Sequence, residues 1–175
     1  PYPTGKTTGI VSVLEPGKPA FTWSSATTNF QRPDKRNLIV YEMLVRDFVA
    51  RNDWQGVMDS LNHIAKMGVN TIHVMPFTEF EGNNSWGYNP MFMFAADKFY
   101  GPENKLKEFV EACHARGIAV VLDMVLNHQF GQSPMVQMYW DAANNRPAAN
   151  SPWFNQDAKH PFNVGYDMNH EAPAT

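Results

Sequence analysis

Lys66-Met67-Gly68-Val69 and Ala115-Arg116-Gly117-Ile118 carry the same local instruction. Each is the end of a helix with an apolar face, then a glycine, then a β-branched residue that opens a strand. Glycine just past a helix takes the left-handed backbone that other residues avoid. Before the first copy, Trp54, Val57, Met58, Leu61, Ile64 and Ala65 recur at spacings of three and four behind Asp53, a helix-capping residue type. Before the second, Leu106, Phe109, Val110 and Cys113 form a similar face behind a candidate cap, Asn104. After the glycines come Val69–Met75 and Ile118–Val125, and upstream stands Leu38–Leu44. These near-continuous apolar runs suit strands buried on both faces. Three such strands with two amphipathic helices between them predict a parallel sheet covered by helices.

The connections are unequal. Those from helix to strand are tight, whereas Pro76 to Glu103, and the chain after Asn127, are long. In α/β folds the loops leaving the C-terminal ends of strands build the site. Any chemistry is therefore expected within 77–104 and after Val125.

Composition narrows the function classes. The 175 residues hold 14 Lys+Arg and 17 Asp+Glu, a net charge of −3, which gives no basic face for a nucleic-acid backbone. With 43% hydrophobic and 18% charged residues, the chain reads as folded. A single cysteine, Cys113, allows no intrachain disulfide, and its helical context makes it core. No apolar run is long enough to span a membrane. The six histidines contain no His-x-x-x-His pair, so zinc-ligand spacing is absent.

Two stretches could carry chemistry. Asp123-Met124-Val125-Leu126-Asn127-His128 puts three polar groups where a buried strand leaves the core. Asn83-Asn84-Ser85-Trp86-Gly87-Tyr88-Asn89-Pro90 puts two aromatic rings either side of a glycine, and a ring face suits the C–H face of a sugar. Either stretch also reads without function, the first as a solvated turn and the second as rings that cover a loop. The loop carboxylates Glu79, Glu81, Asp97 and Glu171 read as solvated surface groups. His63 and His114 are expected on helix surfaces, and His73 within a strand.

Taken in order, Tyr41-Glu42, the strand ending at Pro76, Trp86-Gly87-Tyr88, Tyr100-Gly101, Gly117 and Asp123–His128 resemble the start of the catalytic barrel of glycoside hydrolase family 13, the α-amylase family. Asp123–His128 is similar to that family's Asp-x-x-x-Asn-His signature at the end of barrel strand three. Gly165-Tyr166-Asp167-Met168-Asn169 resembles its extra signature in the domain inserted after that strand. The resemblance implies an α/β fold that is the first part of a (β/α)8 TIM barrel. It further implies three regions: residues 1–35, the end of an N-terminal β-sandwich and linker, as in pullulanase-like or neopullulanase-like members; 36–130, the first βα units of the barrel; and 131–175, the start of the inserted domain. A strand at Gly9–Leu14 belongs to the first region.

The resemblance also implies roles. Tyr88 would stack under the sugar at the cleavage subsite, with Trp86 beside it. His128 would bond that sugar's hydroxymethyl group, and Asp123 would brace the floor. Asn127 and Asp167 match positions that hold a structural calcium in many members, although two oxygens fall short of the roughly six to eight that calcium takes. The expected ligand is an α-glucan such as starch, glycogen or pullulan, and a polymeric substrate favours a secreted, periplasmic or cell-surface enzyme. The retaining mechanism needs two carboxylates flanking the bond. The nucleophile's Gly-x-Arg-x-Asp context does not occur here, so no catalytic residue is expected in this chain. Because such barrels take about 250 residues, the 175 are expected to belong to a longer enzyme. They would pair with its remainder or with copies of themselves. The alternative is an α-glucan-binding protein without catalysis.

Overall fold

The protein is described by a computed structural model covering residues 11–162 and 164–175. In chain order the elements are α1 (Ser25–Thr28), β1 (Val40–Met43), α2 (Val45–Phe48), α3 (Trp54–Lys66), β2 (Thr71–Val74), β3 (Thr78–Phe80), β4 (Pro90–Ala96), α4 (Glu103–His114), β5 (Ala119–Leu122), β6 (His128–Gln129), α5 (Pro134–Met138), β7 (Trp140–Asp141), β8 (Arg146–Pro147) and β9 (Tyr166–Asp167).

The central sheet is the expected one. β1, β2 and β5 lie side by side in that order, all parallel. Val40 pairs with Thr71 and Thr71 with Ala119, so the three strands run level to Met43, Val74 and Leu122. Each is shorter at both ends than the apolar run that announced it, because the apolar residues outlast the pairing. The last rung is Asp123 N–H donating to Val74 O at 2.9 Å, after which the chain leaves the sheet.

Both covering helices follow their apolar faces. Asp53 caps α3 as expected, its carboxylate accepting Gly56 N–H at 2.7 Å. Trp54, Val57, Leu61 and Ile64 are fully buried. They meet Phe109 and Cys113 of α4 and Met43, Ile72 and Val74 of the sheet in one core, with Trp54 stacked on Phe109 at 5.3 Å. Burial pushes the Cys113 thiol up to about 12, so it stays protonated. Both helices give way at Gly68 and Gly117, with φ of +80° and +71°. The expected cap of α4 is corrected: Pro102 holds the capping position and Asn104 lies inside the first turn. Proline's fixed φ, here −69°, presets the entry without a side-chain cap.

The other face of the sheet is uncovered. At registered positions it shows Glu42, His73 and Val121, with Val40 and Val121 about half exposed. β1 and β5 each keep an unpaired edge among the described residues.

Of the expected N-terminal strand, Gly9 and Ile10 lie outside the described residues, and Val11–Leu14 form none. Residues 18–30 instead lie along α4. Lys18 pairs with Glu103 at 2.6 Å, Thr27 Oγ1 meets His114 Nδ1 at 3.0 Å, and Phe30 stacks on the His114 ring at 3.9 Å. At the other end, β6 pairs antiparallel with β9, and β7 with β8. Among the described residues no helix is long and apolar enough to cross a membrane.

Candidate functional site

The long connection after β2 is largely a hairpin rather than the expected loop. β3 and β4 pair antiparallel with register shifts between Thr78 and Phe80. Trp86, Gly87 and Tyr88 sit in its tip, and several bonds hold that tip. Gly87 N–H donates to Ser85 Oγ at 2.9 Å, Asn89 Nδ2 to Glu81 O at 3.1 Å, and Arg46 Nη1 of α2 to Ser85 O at 2.9 Å. Gly87 has φ +92°, and a side chain there would drive its Cβ into the Pro76 carbonyl. Only glycine lets the tip fold down beside the end of β2.

That fold-down brings the predicted residues together. The Tyr88 hydroxyl donates to Asp123 Oδ2 at 2.8 Å, and His128 Nε2 lies 2.8 Å from the Tyr88 carbonyl oxygen. A carbonyl only accepts, so Nε2 carries a proton toward it. Nδ1 is buried and has no protein partner among the described residues. Burial first, then the hydrogen bond to Asp123, pushes the Tyr88 phenol up to about 12, so it remains a donor at ordinary pH. The Tyr88 ring is 41% exposed, which leaves it available to a ligand. Trp86, two residues away, is more exposed still at 64%.

Two residues outside the sequence-predicted set join this cluster. His73 Nε2 lies 3.5 Å from Asp123 Oδ2, and its Nδ1 lies 3.8 Å from Glu42 Oε1. Glu42, His73, Asp123 and Tyr88 therefore form one polar row across the ends of β1, β2 and β5. Register could have flagged it, since Glu42 and His73 are direct partners and Asp123 makes the last rung of the neighbouring strand.

The reading of the loop carboxylates needs correction. Glu81 and Glu171 are exposed, but Glu79 and Asp97 are fully buried. Glu79 pairs with Lys98 Nζ at 2.8 Å, with neither side chain exposed, and also accepts Lys98 N–H at 2.9 Å. Asp97 Oδ1 accepts Phe99 N–H at 2.9 Å, while its Oδ2 has no partner among the described residues. Burial, helped by the neighbouring Glu79 charge, raises the Asp97 carboxyl to about 7. These groups lock the root of the hairpin whose tip carries Tyr88.

The positions matched to calcium lie close together. Asn127 is exposed, and its backbone carbonyl accepts Met168 N–H at 2.9 Å. The buried Asp167 accepts from Asn155 Nδ2 at 2.6 Å and Lys159 N–H at 3.2 Å, and His160 Nε2 lies 3.0 Å from it without a hydrogen bond. Calcium needs converging oxygens, whereas these groups present N–H. Among the described residues no three His, Cys, Asp or Glu side chains are placed to hold a metal ion.

Comparison with known proteins agrees with this geometry. Residues 25–173 match the family model described as "Alpha amylase, catalytic domain". The chain is 31% identical over 120 residues to malto-oligosyltrehalose trehalohydrolase of Saccharolobus solfataricus, covering 69% of this chain and 21% of that protein. It is 32% identical over 129 residues to a 1,4-alpha-glucan branching enzyme of Xanthomonas oryzae pv. oryzae, covering 69% and 18%. The chain thus spans about a fifth of the length of the curated relatives it matches. These names differ from the pullulanase-like or neopullulanase-like members that the first thirty-odd residues resemble. A crystal structure of an alpha-amylase-type protein from Salmonella typhimurium overlays with a TM-score of 0.70 at 27% identity, over 93% of this chain and 25% of the other. An alpha-amylase from Lactobacillus plantarum gives 0.63 at 21% identity over 78% and 32%, a likeness of fold.

Proposed function

The chain belongs to the α-amylase family and folds as the opening of its (β/α)8 barrel, and from that premise we propose that it supplies the sugar-gripping wall of an enzyme acting on α-glucans. The observation that carries this reading is the meeting of Tyr88, Asp123 and His128 at one rim, at the C-terminal ends of parallel strands. In barrels of this kind the site lies on that face.

Each side chain then has a task. The Tyr88 ring offers a flat apolar face to a pyranose, and its phenol stays protonated and anchored on Asp123. Asp123 is spent on holding Tyr88 and meeting His73, so it positions rather than attacks. His128, itself almost fully buried, braces the peptide of Tyr88 and so fixes the ring at the rim. Trp86 extends the aromatic surface. Retaining cleavage requires a nucleophile and an acid about 5 Å apart across the bond. No pair of carboxylates in this row is free for that work, so those groups come from elsewhere in the enzyme.

The test is Tyr88→Ala beside Tyr88→Phe in the full-length protein, assayed on malto-oligosaccharides. One face of the ring covers on the order of 80 Å2, so at ~25 cal/mol per Å2 its loss costs about 2 kcal/mol. That corresponds to roughly a 30-fold fall in kcat/KM for the alanine variant. Phe keeps the ring and loses only the anchor, so its loss is expected to be smaller. Unchanged kinetics in Tyr88→Ala would make Tyr88 a packing residue and end the proposal. Glucan binding with no turnover by the full-length protein would favour a binding protein instead.

A further inference from the structure

The family resemblance gives Asn127 and Asp167 to a calcium ion that ties the inserted segment to the barrel, but Asp167 is committed otherwise. It is 7% exposed and sits where three stretches of chain meet. β9, which contains it, pairs with β6, and Met168 N–H donates to the Asn127 carbonyl at 2.9 Å. On its other side Asn155 N–H donates to the Asp167 carbonyl at 2.9 Å, and Phe154 bridges Met168. The carboxylate points among the side chains of that second stretch. Oδ2 takes Asn155 Nδ2 at 2.6 Å and Lys159 N–H at 3.2 Å. Oδ1 lies 3.0 Å from His160 Nε2, a close pair although the N–H is off the line of a full hydrogen bond.

A carboxylate has about four lone-pair sites; two here accept protein N–H groups and the His160 ring stands beside a third. A cation on Asp167 would meet the positive ends of those N–H groups, and it would need them replaced by further oxygens at about 2.3–2.6 Å. The backbone is closed as tightly. Gly165 has φ +61°, and a Cβ there would stand 2.7 Å from Gln129 O and 2.9 Å from His128 Cδ2. The segment is therefore already seated against the residue that braces Tyr88.

We propose that a protein clasp, made by Asn155, the Lys159 amide and His160 on Asp167, does the tying work here in place of calcium. The clasp rests on the fold and not on the glucan reading, so its test uses no sugar. Thermal unfolding of the full-length protein, followed through its tryptophan fluorescence, is compared in EDTA and in millimolar calcium chloride. The expected Tm is the same in both, with no calcium heat in titration calorimetry. Asn155→Ala and His160→Ala, which leave Asp167 in place, should each lower Tm by about 2–5 °C, equally with and without calcium. A Tm several degrees higher in calcium, lost in Asp167→Asn, would overturn the clasp. So would Asn155→Ala and His160→Ala variants that both melt like wild type.

Discussion

Lys98→Met isolates a buried charge with little change of shape. Methionine keeps the apolar stem of lysine and removes the ammonium, so the substitution leaves Glu79 without its cation at the root of the β3–β4 hairpin. Both side chains are fully enclosed, and Nζ also donates to Gly82 O at 3.3 Å. What remains for Glu79 is the Lys98 amide at 2.9 Å and the Val11 amide at 3.2 Å. Two amide bonds do not offset the desolvation of a carboxylate, and Asp97 stands next to it. Breaking one side of a buried pair costs about 3–5 kcal/mol, whereas exchanging both partners for apolar groups is close to neutral. The double variant Glu79→Met/Lys98→Met should therefore recover most of the loss. A cycle of the two singles and the double would then give a coupling on the order of 3 kcal/mol. The readout local to the hairpin is hydrogen exchange of the β3 and β4 amides. The hairpin tip carries Tyr88, so KM for malto-oligosaccharides should rise in step with that exchange. A loss under about 1 kcal/mol in Lys98→Met, or a double variant worse than either single, would refute the claim that this pair locks the hairpin.

Asp97→Asn tests the neighbouring acid through pH. Its carboxyl is raised from 3.8 to about 7, so the folded state holds a proton that the unfolded chain releases, and the linked stability is present below pH ~4 and lost as pH rises through ~7. At ~1.4 kcal/mol per pH unit that is on the order of 4 kcal/mol. The asparagine variant should gain on wild type from pH 5 to pH 8 in urea unfolding, and parallel curves would contradict the buried-acid reading. Gly87→Ala meets both a φ of +92° and the Pro76 carbonyl. It should reduce kcat/KM at least about tenfold with an unchanged far-UV spectrum, and full activity would show that the tip can rest elsewhere.

The legible part of this molecule is the part written in short-range code. Asp53, the three-and-four spacing from Trp54 to Ile64, Gly68 and Gly117 each act within a turn or two, and all behave as read. Tyr88 and Asp123 are 35 residues apart, yet their meeting was legible in principle. One loop leaves β2, the other leaves β5, and adjacent parallel strands bring such loops to one rim. What escaped was settled by partners that local pattern does not name. β4 reads Pro-Met-Phe-Met-Phe-Ala-Ala, without the polar alternation of a half-buried strand, and a proline opens it, so it passed for loop. Glu79 looked solvated because its cation stands 19 residues on, across a hairpin that was not foreseen. The mistaken cap at Asn104 has the same origin, since the helix start was decided by how the chain enters from β4. Where a residue's environment comes from a distant segment, residue type reports only what that residue needs. Here Lys98 supplies the cation for Glu79 and residues 155–160 supply the partners of Asp167, and neither supplier is named by the pattern around the acid it serves. The consequence is functional, because both suppliers act on the grip itself. Lys98 holds the hairpin that presents Tyr88, and the Asp167 cluster seats the strand that flanks His128, so the sugar-binding rim is only as rigid as two buried polar clusters whose suppliers lie outside the family signatures.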